Sequence, residues 1–84
     1  MKPFQKANYP QTHKIIVDPE IRFGKPCIRG TRITVGDILN LLSAGYTVND
    51  IPKQYPSVSK SDAIAAIYFA ANLSDQPAHI AHAA

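Results

Sequence analysis

Four basic side chains stand within eleven residues of this 84-residue chain: Arg22, Lys25, Arg29 and Arg32. Guanidinium and ammonium groups at that density suit the holding of a polyanion or of an acidic protein surface. No grouping for covalent chemistry accompanies them. The chain offers no Ser/His/Asp, Cys/His or paired-carboxylate arrangement. Gly24-Lys25 lacks the Gly-x4-Gly-Lys-Ser/Thr spacing with which a phosphate loop cradles a nucleotide. His79 and His82 form a His-x-x-His pair in an alanine-rich tail, but no third ligand joins them, and zinc sites need three or four. His13 is isolated. Cys27 is the lone cysteine, so it cannot form an internal disulfide; it reads as a small buried hydrophobe in a reducing cytoplasm. The expectation is a protein without catalytic residues, metal or cofactor.

The charge is divided along the chain. Residues 1–32 hold seven Lys/Arg against Asp18 and Glu20, whereas residues 33–84 hold Lys53 and Lys60 against four aspartates. A split of this kind points to a polyanion or an acidic partner, and equally to a plain solvated basic face. Apolar content of 45% is that of a globular chain. No apolar run approaches the roughly 18 residues of a membrane span, and Met1–Lys6 has no apolar core of a signal peptide. The expected setting is cytoplasmic.

These side chains need elements to position them. Residues 1–13 carry Pro3 and Pro10 without periodicity and read as a flexible arm. Lys14-Ile15-Ile16-Val17 is β-branched and strand-like; Asp18-Pro19 stops it. Pro26-Cys27-Ile28 can return as a second strand, with proline at an edge position, and Gly30 allows a tight turn. The expectation is a short β-hairpin over 14–33 that pairs 15–17 with 27–29. Two strands are marginal alone, so the hairpin must pack on the rest of the chain or on a second copy.

Three helical patterns fill 35–73. Thr34 and Asp37 open the first, whose Val35, Ile38, Leu39 and Leu42 recur at helical spacing, and Gly45 closes it. Thr47 and Asp50 repeat the capping pattern, with Tyr46 and Ile51 as a hydrophobic staple. Pro52 then either makes the second helix start near Asp50 or distorts its first turn; Pro56 ends it. Ser59 and Asp62 cap the third helix, which runs to about Leu73. That helix is apolar nearly all round, save for a narrow stripe of Ser61, Ala65, Tyr68 and Asn72. A helix of this kind is buried, and 84 residues cannot cover it fully. A homodimer through Ile64, Ile67, Phe69 and Leu73 is therefore expected. Residues 75–84 read as a disordered tail.

Helices two and three, joined by Pro56-Ser57-Val58-Ser59, have helix-turn-helix proportions. The turn that would enter a major groove holds Ser59, Lys60, Ser61 and Asp62. Segment 35–73 has two lysines against three aspartates, which is poor electrostatics for DNA. Lys53, Ser59, Lys60 and Ser61 are the candidate DNA contacts, with Arg29 and Arg32 lent by the hairpin. Arg22, Lys25, Arg29 and Arg32 are the candidate contacts to a protein partner.

The run Asp18-Pro19-Glu20-Ile21, Gly24-Lys25-Pro26, Ile28-x-Gly30-Thr31-Arg32-Ile33 resembles the signature of the bacterial family called domain of unknown function 433. Ala44-Gly45-Tyr46, Ile51, Tyr55-Pro56 and the helix from Asp62 to Ala71 also fit, so the resemblance covers about residues 14–73. That family is similar to VapB-type antitoxins. What the resemblance implies is a mainly α fold, a β-hairpin followed by a three-helix, homeodomain-like helix-turn-helix bundle. It also implies a cytoplasmic dimer that binds a PIN-like ribonuclease toxin and its own operator DNA. Two recognition turns would then lie about 34 Å apart on a two-fold dimer. Pro52 departs from the helix-forming residues usual there. The alternative is a protein-interaction module that uses the basic hairpin and has no DNA role.

Overall fold

The computed structural model describes residues 11–74. In order they form a 3-10 turn at Gln11–Lys14, strand β1 (Ile15–Ile16), a turn at Arg22–Gly24, strand β2 (Cys27–Ile28), and helices α1 (Val35–Ser43), α2 (Ile51–Gln54) and α3 (Lys60–Ser74). The architecture is mainly helical, with a two-stranded antiparallel hairpin ahead of three helices. Most of the expected arm (1–10) and the expected tail (75–84) lie outside the described residues. Residues 11–13, assigned to that arm, instead form the 3-10 turn with Lys14, which packs against α3.

The hairpin sets Ile15 opposite Ile28 and Ile16 opposite Cys27. It is shorter than 15–17 with 27–29, because Val17 turns out to solvent before Asp18-Pro19. What stabilises so short a pair is a third extended segment. The chain reverses at Ile28–Thr31, where the Thr31 N–H donates to the Ile28 carbonyl at 3.0 Å. Gly30 takes φ 81° there, the left-handed value that the third position of a type II turn demands. The Ile28 N–H then donates to the Ile33 carbonyl at 2.9 Å, and Cys27 bridges Thr34. Both edges of β2 are thus hydrogen-bonded, and Cys27 and Ile28 are buried.

The helices begin and end on local signals. The Thr34 hydroxyl accepts the Asp37 N–H, and Asp37 accepts the Thr34 N–H, a complete capping box for α1. Gly45 at φ 104° closes α1: its N–H donates to the Leu42 carbonyl and the Tyr46 N–H to that of Leu41, the pair of bonds of a Schellman motif. Helix α2 is one turn, and the Thr47 cap and Tyr46–Ile51 staple expected for it do not form: its N-cap is Asp50, without a side-chain cap bond, Ile51 is its first residue, and the Thr47 hydroxyl donates to Asp50. Residues 48–50 are turns, so Pro52 falls in the first turn of a helix that starts at Ile51, where a missing N–H leaves no bond unmade. Of the two readings of Pro52, the late start holds. Ser59 and Asp62 cap α3 reciprocally.

Ile28, Val35, Ile38, Ile51, Val58, Ala63 and Ala66 make the core, drawn from the hairpin and all three helices. Each fully buried Ile or Val contributes about 1.5–3 kcal/mol. Alanines on α3 let α1 lie close. Ala65, expected on the polar stripe, is buried, because α3 also packs against the Gln11–Lys14 turn and so has neighbours on two sides.

Candidate functional site

The hairpin arginines are placed by different contacts, and they do not form one cluster. Arg22 turns inward. Its Nη1 donates to the Arg32 carbonyl at 2.9 Å and to Asp37 Oδ2 at 3.3 Å, which ties the Arg22–Gly24 turn to the start of α1. Arg29 faces the other way: its Nε donates to the His13 carbonyl at 2.8 Å. The next residue, Lys14, pairs with Asp62 in the first turn of α3 at 3.3 Å. Arg29 is therefore linked to the start of α3, and Arg22 and Arg32 to the start of α1.

The acids of the helical half are already engaged. Burial works to raise the Asp37 pKa, but the Thr34 N–H, the Thr34 hydroxyl and the Arg22 guanidinium together hold it below the ordinary value. Asp62 is likewise lowered against its burial, by Ser59 and by the Lys14 ammonium. For Asp50 the Thr47 N–H is the largest cause of a lowered pKa, with the Thr47 hydroxyl next. Among the described residues, Lys25, Arg29, Arg32, Lys53 and Lys60 form no ion pair and are exposed. The uncompensated positive charge thus sits in two places, at the hairpin end and around the α2–α3 junction.

The hairpin end carries a feature that composition did not disclose. Arg22 and Phe23 have φ of 48° and 60°, left-handed values rare for residues with a side chain. The Phe23 ring is 93% exposed. Such strain costs about 1–2 kcal/mol per residue, and the Arg22 bonds to Asp37 and Arg32 hold the turn in place. The sequence signal was faint: one aromatic residue before Gly24 in a turn. Lys25 stands two residues after Phe23, and the Arg32 backbone carbonyl accepts from Arg22 of the turn. Asp18 and Glu20 precede it, Asp18 accepting the Glu20 N–H.

At the α2–α3 junction Lys53, Ser59, Lys60 and Ser61 are all exposed, with the Ser59 hydroxyl taken by its cap. The four residues expected at a dimer interface divide. Ile64 and Ile67 point outward, whereas Phe69 packs partly against the chain's own core, and Leu73 projects near the end of α3, 57% exposed. At about 100° per residue, Phe69 and Leu73 lie across the helix from Ile64 and Ile67, so one flat partner cannot touch all four. Cys27 is 1% exposed, with its thiol donating to the Lys25 carbonyl at 3.3 Å, as the reading of a small buried hydrophobe expects.

Among the described residues no group of three or more His, Cys, Asp or Glu could hold a metal ion, and no helix is long and apolar enough to cross a membrane. Comparison with known proteins finds no match among curated proteins or solved structures. One family model does match, over residues 15–70, from β1 to the middle of α3. The chain belongs to the family described as Protein of unknown function (DUF433).

Proposed function

We propose that this chain is an antitoxin-like protein of a toxin–antitoxin pair, which neutralises a PIN-like ribonuclease by binding it through the hairpin end. The observation that carries the reading is the exposed Phe23 in its strained turn, with the exposed Lys25 two residues on and the exposed Arg32 tied to the turn through its carbonyl. Backbone strain of this kind collects at sites of function. Aromatic and arginine side chains are enriched at protein interfaces. A nuclease cleft lined with carboxylates is a fitting acceptor, since filling it excludes both metal and RNA. In this reading the chain blocks a catalyst without being one.

The test is inhibition of a PIN-like nuclease by the chain, with binding followed by calorimetry. Phe23→Ala and the Lys25→Glu/Arg32→Glu double substitution should each weaken binding at least about tenfold. Full inhibition by both variants would overturn the role of the hairpin end.

A second reading is operator binding through a homeodomain-like helix-turn-helix formed by α2 and α3. What favours it is the exposure of Lys53, Lys60 and Ser61 at the junction, with Arg29 linked to the same end of α3. Of the carboxylates there, Asp62 is offset by its ion pair with Lys14. Gel shifts on the upstream DNA across a salt series test it: Lys60→Ala should weaken binding to all sequences and lower the salt slope by about 1. No shift at low salt would remove this reading.

A further inference from the structure

We propose that the outward face of α3 pairs antiparallel with the same face of a second copy of this chain. Lys60, Ile64, Ile67 and Ala71 fall within a sector of about 60° on the helix. All four are exposed, Ile64 at 47% and Ile67 at 37%. The sector holds no carboxylate; Asp62 lies on the far side, bonded to Ser59 and Lys14. Among the described residues, the core covers other faces of α3 and leaves this one exposed.

The occupant follows from what the face presents when it is turned round. Centring an antiparallel pair between Ile67 and Tyr68 sets Ile64 against Ala71 of the second copy, large against small, twice by symmetry. Lys60 then meets the C-terminal end of the opposite α3. That end has no basic residue in its last turn, and the last carbonyls of a helix carry the negative end of its dipole. A parallel pair would instead bring Lys60 against Lys60. Phe69 and Leu73 take no part, since they lie across the helix. A 15-residue α3 gives a seam about 22 Å long, at the small end of specific interfaces, so the dissociation constant is on the order of micromolar.

The pairing does not depend on the nuclease reading. It does constrain the DNA reading. The two Lys60 residues come about 22 Å apart along the helices, short of the roughly 34 Å between adjacent major grooves. The face between them is covered, so this dimer is not the species that would read a palindrome with the length of α3.

Sedimentation equilibrium of the full chain tests the pairing, with circular dichroism to show that each variant keeps its helices. The wild type should dimerise. Ile67→Glu should raise the dissociation constant at least about tenfold, by burying an unpaired charge; Ile67→Ala should raise it less, and Lys60→Glu should raise it too. Orientation is read by mild oxidation. Ile64→Cys alone should not cross-link two copies, whereas the Ile64→Cys/Ala71→Cys double variant should, and the buried Cys27 stays out of the reaction. A wild type that stays monomeric to about millimolar concentration, well above the expected constant, would overturn the proposal. So would an unchanged constant in Ile67→Glu, or cross-linking by Ile64→Cys as efficient as that of the double variant.

Discussion

Phe23 holds a left-handed backbone and leaves its ring in water, so its own fold gains nothing from it. Asparagine tolerates that conformation far better. Phe23→Asn should therefore stabilise the domain, by up to about 1 kcal/mol, while weakening a partner that uses the ring; urea titration beside the binding assay would read both. The opposite holds for the aspartates. Asp37, Asp50 and Asp62 each accept a backbone N–H from three residues earlier, and each has a lowered pKa. An acid whose folded pKa is depressed binds fewer protons than its unfolded form near the ordinary value, so stability rises with pH there. The denaturation midpoint should be flat above about pH 5. It should fall as the pH drops through the ordinary aspartate value of 3.8 towards the lower folded values. Asp37→Asn should make that decline shallower. Thr34→Ala, which removes the α1 cap, should cost about 1 kcal/mol at neutral pH.

Among the elements, the helix boundaries were the most legible part of the chain. Thr34-x-x-Asp37 and Ser59-x-x-Asp62 announce two starts, and both bonds of each are made; Thr47-x-x-Asp50 closes a turn ahead of α2 instead, and Asp50 stands at the N-cap without a side-chain cap bond. Capping is local chemistry across three residues, so it reads well from sequence. Gly45 was legible for the same reason. Gly45→Ala has open space for its methyl group, so its cost is purely the left-handed backbone, about 1–2 kcal/mol. Pro52 was ambiguous because the same residue type suits a late start and a distorted turn. Its place in the first turn of α2 predicts that Pro52→Ala changes stability by less than about 0.5 kcal/mol, against about 3 kcal/mol for a proline inside a helix. Thermal melts of the two variants would check both. The third extended segment beside β2 was not legible, since Ile33-Thr34 has too few residues to show a period.

For the whole molecule, one small core joins the hairpin to all three helices. Ile38 is fully buried at its centre. Ile38→Ala should cost about 2–5 kcal/mol, a large part of what a small domain holds, so its melting transition should be lost or strongly lowered in calorimetry. Ile64→Ala, on the outward face of α3, should leave the monomer's stability within about 0.5 kcal/mol. The charge balance also changes meaning at this scale. Segment 35–73, with three aspartates against two lysines, looked repellent to DNA, yet Asp62 and Asp37 are offset by ion pairs with Lys14 and Arg22, while Lys53 and Lys60 stay exposed.

The sequence by itself determined the hairpin and the starts of α1 and α3, because propensity, capping and turn geometry act over three to five residues and leave a residue-type signature. It determined the family too, through the Gly-Lys-Pro and Gly-Thr-Arg runs of the hairpin. Tertiary structure alone decided how the four basic side chains divide. Arg22 was drawn to Asp37 across fifteen residues, and Arg29 to the His13 carbonyl across sixteen. It also decided which side of an almost wholly apolar helix faces water. Hydrophobicity cannot choose among apolar faces; only the placement of α1 and the N-terminal turn against α3 does, and that left Ile64 and Ile67 outside and drew Phe69 in.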